Sequence, residues 1–191
     1  MDITKFECQN AVETIQSFIA NKKHGFAYCT HNKKSVLIAQ ADAVDRELCA
    51  QLGYNIMETM HTGGVVVVAD GDVSVIHFGN IGNRCMLDFA KYLVEQYKAR
   101  GLNATFDGND VLIDGYKISG LSATPYGHIQ YSTIHIGVNT NLDDIKAICT
   151  KPMVKIPKGL NDYGITTEEI EQIFLDFCGA TPEGLVNITE E

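Results

Sequence analysis

The alternation of apolar and polar positions predicts many short strands interrupted by a few helices. Residues 10–20 place Val12, Ile15, Phe18 and Ile19 on one helical stripe. Residues 25–30 and 35–40 read as strands around a basic turn at 31–34. Asp42 offers an N-cap for a helix over 43–52, which Gly53 would close. The strand pattern returns at 55–60, and the four valines Val65–Val68, set between glycines and Asp70-Gly71, predict a centrally buried strand. A helix over 83–99 follows, with Met86, Ala90, Leu93, Val94 and Tyr97 among its apolar positions and Lys98 and Arg100 suiting its C-terminal end. Residues 103–106 form a short strand and 126–130 a loop. Residues 131–142 read as a strand with Ile134, Ile136 and Val138 alternating, a short helix covers 142–149, and 151–160 is an irregular basic loop, expected to be mobile. Thr166, Thr167, Glu168 and Glu169 start a helix of capping-box type, and residues 181–191 read as a frayed tail.

The densest chemistry lies in GNDVLIDGYKISGLSA, residues 108–123. Val111, Ile113 and Ile118 alternate with polar positions around Asp114-Gly115, the pattern of a tight hairpin. Lys117 sits just past that turn, and the small residues Ser119 and Gly120 follow it. Another backbone or a ligand can come close there. An ammonium held on a rigid strand can neutralise a carboxylate or phosphate without the cost of ordering a loose side chain. An exposed strand lysine beside a turn fits the same residues. Gly63 and Gly64 leave the backbone bare ahead of the valines. That arrangement serves either a planar or anionic ligand lying on exposed amides, or a turn that needs positive φ.

Composition narrows the function. With 191 residues the chain fits one domain with a real core. A formal charge of −9 argues against nucleic acid as the main partner, because phosphate contacts need clustered Lys and Arg. No run approaches the roughly 18–20 apolar residues needed to span a bilayer. The start of the chain lacks the basic-then-apolar pattern of a signal peptide, so a cytoplasmic location is expected. Six scattered cysteines without CxxC spacing read as reduced thiols rather than a zinc site.

The string NDVLIDGYKISGLSA resembles the lipoate-protein ligase pattern N-D-(apolar)2-x-D-G-x-K-(I/V)-S-G-S-A. Asn109, Asp110, Asp114, Gly115, Lys117, Ser119, Gly120, Ser122 and Ala123 all match it. Residues 58–72 are similar to that family's glycine-rich R-R-x-S-G-G-G-A-V segment. There the family arginines fall at Glu58 and Thr59, and its His-Asp pair falls at Val68 and Ala69. The arginine expected near Gln40 and the one before Asn109 are also replaced. The Ile136 to Asn141 run resembles a biotin-ligase strand. His135 alternates with apolar residues and faces away from them, and a half-buried sheet histidine with no chemical role is the expectation. Overall the likeness spans roughly residues 35–177.

The resemblance implies an α+β fold: a mixed, mostly antiparallel sheet flanked by helices, as in class II aminoacyl-tRNA synthetase and biotin/lipoate ligase domains. It implies one catalytic domain over 1–180. The implied reaction is ATP-dependent activation of lipoate, octanoate or biotin and transfer to a lysine of a lipoyl-type carrier domain, with an accessory subunit as a further candidate partner. Lys117 would be the catalytic cation and Asp110 the Mg2+ ligand. Gly63, Gly64, Val65, Val66, Val67, Asn109, Asp110, Lys117, Ser119 and Gly120 would line the nucleotide and acyl site. Lys151, Lys155 and Lys158 are the cations available to stand in for the missing arginines. The alternative is a non-catalytic protein of the same fold that binds an acyl or nucleotide-like molecule. A third reading, a cysteine-based acyltransferase, rests on Cys149 alone and is weaker, because no histidine is placed beside it.

Overall fold

The computed structural model describes residues 3–8, 24–39, 43–58, 64–82, 84–181 and 185–187. The helix expected over 10–20, and Gly63, Gln40 and Thr59, lie outside them. The fold is α+β, with two sheets. An eight-stranded sheet runs in the order β11-β1-β2-β6-β10-β9-β8-β7, formed by Leu185–Asn187, Ile3–Cys8, Gly25–His31, Val73–Asn80, Ile129–Ile136, Tyr116–Tyr126, Asp110–Ile113 and Ala104–Asp107. The β1 pairings with β2 and β11 are parallel and the other pairings in this sheet are antiparallel. A three-stranded sheet has the order β4-β3-β5, from Asn55–Glu58, Ser35–Ile38 and Val65–Val68.

One face of the large sheet carries the main core. Helix α2 (Cys85–Ala99) and helix α4 (Thr167–Cys178) lay Phe89, Leu93, Tyr97, Ile170 and Phe174 against Tyr28, Val75, Val111, Ile134 and Ile136. Phe174 stacks on Tyr28 at 5.3 Å and meets Phe26 and Phe89 edge-on. Burying each such side chain contributes roughly 1.5–3 kcal/mol. The expected capping box is present: Thr166 accepts from the Glu169 amide while Glu169 accepts from the Thr166 amide. A separate cluster of Val36, Ile38, Val44, Cys49, Tyr54 and Ile148 joins the small sheet to α1 (Arg46–Gln51) and α3 (Leu142–Ile148).

Six expectations change. The helix expected over 43–52 starts at Arg46 under an Asp45 cap, because Val44 stays extended and pairs with Cys149. The four valines form an edge strand rather than a central one, since Val65 and Val67 pack on the small-sheet cluster while Val66 shares the other face with Leu37 and Met57. The loop expected at 126–130 shrinks to Gly127-His128, between β9 and β10. The strand expected over 131–142 ends at Ile136, because the Gly137 and Val138 amides leave the ladder for the Ile118 carbonyl and the Asp72 carboxylate. The basic loop after α3 is pinned to β9, as detailed below. Within the expected tail, Leu185–Asn187 forms β11 on β1; three residues are too short to show a period.

Candidate active site

The hairpin that carries the lysine is specified locally. Asp114 at φ 53° and Gly115 at φ 81° supply two consecutive left-handed residues, the requirement of a type I′ turn between β8 and β9. Past the turn, Leu112 pairs with Lys117 but Val111 pairs with Ser119, so Ile118 is the extra residue of a bulge. The bulge leaves Ile118 in the core and the Ser119 hydroxyl buried without a hydrogen-bond partner, beside the core residues Val111 and Ile136. Lys117 and Gly120 are thereby left on the face opposite α2 and α4.

Strand register lines up one row across that opposite face. Asp107 pairs with Asp110, Asp110 with Gly120, Gly120 with His135, His135 with Ser74, and Ser74 with Cys29. Over this row the Lys117 side chain folds back. Its Nζ donates to Asp110 Oδ1 at 2.8 Å, and 40% of the side chain stays accessible, so the amine can take a further, anionic partner. A Cβ at Gly120 would lie 3.2 Å from that Nζ and 3.3 Å from Lys117 Cε. The missing side chain at position 120 is what lets the ammonium settle there.

A second lysine completes the cluster from the loop after α3. Lys155 Nζ donates to Asp110 Oδ2 at 2.9 Å, to Asp107 Oδ2 at 2.9 Å and to the Asp107 carbonyl at 3.1 Å. The loop is tied to the lysine strand by backbone bonds as well. The Lys117 amide donates to the Ile156 carbonyl at 2.8 Å, and the Lys158 amide donates to the Lys117 carbonyl at 3.0 Å. Lys158 Nζ lies over the Tyr163 and Tyr116 rings, at 4.5 and 5.2 Å. Burial alone would raise the Asp110 carboxyl, but the hydrogen bonds from Lys117 and Lys155 outweigh it and hold the group below the usual carboxylate range. The carboxylates of Asp107 and Asp110 conversely raise Lys155.

A buried polar chain adjoins this cluster. Asp72, fully buried, accepts from the amides of Ala69 at 2.8 Å, Val138 at 2.7 Å and Asn139 at 2.9 Å, and pairs with His135 Nε2 at 3.4 Å. His135 Nδ1 lies 3.3 Å from Ser74 Oγ, which lies 2.8 Å from His31 Nε2. Burial would raise Asp72; the His135 contact and the amides lower it overall. Burial and the neighbouring His135 push His31 down to about 3, so it stays neutral. The network joins the start of β6 to the ends of β2 and β10, and it gives His135, read as inert, a defined hydrogen-bonding place.

Of the residues singled out from sequence, Asp110, Lys117 and Gly120 converge. Asn109 is exposed, and its carbonyl accepts from the Leu121 amide at 2.7 Å. Ser119 is turned to the core. Gly64 is exposed at the start of β5, with Val65, Val66 and Val67 in the small sheet. The pairing of Asp107 with Asp110 was legible in the spacing D-G-N-D, since carboxylates flanking a two-residue turn face each other. Lys155, named with Lys151 and Lys158 as a stand-in cation, joins them, though no spacing distinguished it from the other two. Arg46 pairs with Glu58 and Arg100 with Glu169, and the third arginine of the chain, Arg84, sits at the start of α2 without a side-chain capping bond, so the cations beside Asp110 are lysines. Among the described residues, no three His, Cys, Asp or Glu side chains converge on one point.

Residues 12–174 match the family of the lipoyl protein ligase A/B catalytic domain. The chain belongs to that family. Among solved structures it is similar to a lipoate-protein ligase A bound with ATP, at 16% identity and a TM-score of 0.78, covering 100% of this chain and 90% of that one. It is also similar to a bi-partite lipoate protein ligase of Thermoplasma acidophilum studied with its E2 lipoyl domain, at 18% identity and TM-score 0.75, covering 100% and 88%. A biotin protein ligase of Leishmania major is more distant, at 12% and 0.54, covering 96% and 76%. No curated protein sequence matches this chain. No helix among the described residues is long and apolar enough to cross a membrane.

Proposed function

We propose that this lipoyl ligase family member activates lipoate, or a related acid such as octanoate or biotin, with ATP and transfers the acyl group to a lysine of a lipoyl-type carrier domain. The observation that carries the reading is the Lys117 ammonium held over Gly120 by Asp110, with accessible surface left for an anion. Activation brings a carboxylate against the α-phosphate, and a fixed cation there stabilises both charges without reorganising. In the first step the carboxylate oxygen attacks the α-phosphorus and pyrophosphate leaves. In the second the carrier amine, having lost a proton, attacks the acyl carbon and AMP leaves. In this reading Lys117 holds the carboxylate before the first step and the phosphate through both.

ATP fits the lysine donors present, and a relative of the same fold holds it. Mg2+ at Asp110 does not fit the geometry as it stands, because each oxygen of that carboxylate already meets an ammonium. No step is therefore routed through a protein-held metal. Support for a carrier domain comes from the archaeal ligase studied with its lipoyl domain. The test is to incubate the protein with ATP, Mg2+, lipoate and a lipoyl domain and follow the intact mass of the domain. A gain of one lipoyl group supports the reading. Adenylate without transfer points to a missing second subunit, and neither product with any of the three acids sinks it.

A further inference from the structure

We propose that Lys155 is the resident cation of Asp110, standing where a divalent metal would stand, and that Asp107 and Asp110 thereby latch the loop around it onto the lysine strand. The inference deepens the ligase reading by making the anion site one of ammonium groups alone.

Three N–H donors of an ammonium can be counted, and around Lys155 three oxygens lie within reach: Asp110 Oδ2 and Asp107 Oδ2 at 2.9 Å each, and the Asp107 carbonyl at 3.1 Å. Its donors are fully used. Two carboxylates and a carbonyl are also the hard oxygen set that a divalent cation prefers, so ammonium and metal would compete for one place. Lys117 on the other oxygen of Asp110 adds a second positive charge against the metal. Val154 is 99% exposed and Ile156 47% exposed, so apolar burial at the loop's tip is small. Beside the Lys155 contacts, the loop is held by the two backbone bonds that flank Lys117 and by Lys158, which lies over the Tyr116 and Tyr163 rings.

The latch is read without any substrate, so its failure is separable from failure of the ligase reading. The 191-residue chain is exposed to trypsin, and cleavage after Lys158 is timed by mass spectrometry with and without MgCl2 at matched ionic strength. In parallel, Mn2+ is titrated in and followed by electron paramagnetic resonance. The parent protein should resist cleavage equally with and without Mg2+ and should leave the free Mn2+ signal undiminished. Lys155→Met and Asp107→Asn should each speed cleavage about tenfold by releasing charge-assisted bonds, whereas Lys155→Arg, which keeps the charge, should stay close to the parent. Circular dichroism melts identify any variant that has failed to fold, and Lys155→Arg against Asp107→Asn then carries the comparison. Mg2+ freeing the loop of the parent protein overturns the proposal, as does Mn2+ binding that disappears in Asp110→Asn, or cleavage unchanged in both Lys155→Met and Asp107→Asn.

Discussion

Gly120→Ala places one methyl group under the ammonium on which the site depends. The added carbon would sit 3.2 Å from Lys117 Nζ, 3.3 Å from Cε and 3.4 Å from Asp110 Oδ1. Comfortable contacts need roughly 3.5–4.0 Å, so the amine must retreat by about 0.5 Å. A displacement of about 1 Å can cost 100-fold in rate, and half of that predicts about a tenfold fall in carrier acylation, or ~1.4 kcal/mol of transition-state stabilisation. Stability should barely move. Position 120 is not in the left-handed region, and replacing glycine stabilises by about 0.4–1 kcal/mol through the unfolded chain, against strain of similar size. The melting temperature should shift by no more than ~3 °C. The assay pairs initial rates of carrier lipoylation, read by intact mass, with a thermal melt of the same sample. A rate within twofold of the parent refutes the close-approach argument, and a fall in rate matched by a collapsed melt refutes its being local.

Other perturbations separate folding from chemistry. At Gly159 an added Cβ would meet the Val138 carbonyl at 2.6 Å and the Thr140 amide at 3.0 Å, both backbone; Gly159→Ala should lose roughly 1–3 kcal/mol in urea unfolding, and a loss near zero would show that the loop shifts freely. Acid should unfold the protein through its depressed carboxylates. Asp72 and Asp110 have folded values below the unfolded carboxyl value of about 3.9, so their stabilisation is fully present above that pH and is lost as pH falls through the folded values. Between pH 6 and pH 3 the melting temperature of Asp72→Asn should therefore fall less steeply than that of the parent, and parallel slopes would contradict the ionised state assigned to Asp72.

Legibility in the sequence followed the range of the forces involved. The hairpin from Asp110 to Ile118 was readable because alternation and an Asp-Gly turn are local, and the capping box at Thr166 and Glu169 because four residues contain it. The edge position of Val65–Val68 was not, since a run of valines satisfies both a central strand and one half-covered by its own sheet. Ser119 entered the expected site through the family likeness; the bulge at Ile118 shifts the period by one and turns that hydroxyl to the core. Lys155 and the chain from Asp72 to His31 depend on contacts between distant segments, which no spacing rule encodes. The departures from the family pattern were visible as missing arginines, but that lysines surround Asp110 required the fold.

Everything functional in this account rests on one ammonium receiving the charge of the activated acid. Titration calorimetry of a non-hydrolysable lipoyl-sulfamoyl adenosine, a stand-in for the acyl adenylate, measures that directly on the parent and on Lys117→Met, which keeps the stem length. The loss should be about 30-fold or more, as for one charged partner removed from a desolvated pair, with the thermal melt of the unliganded protein nearly unchanged. Equal affinity in the two proteins would contradict the assignment of Lys117.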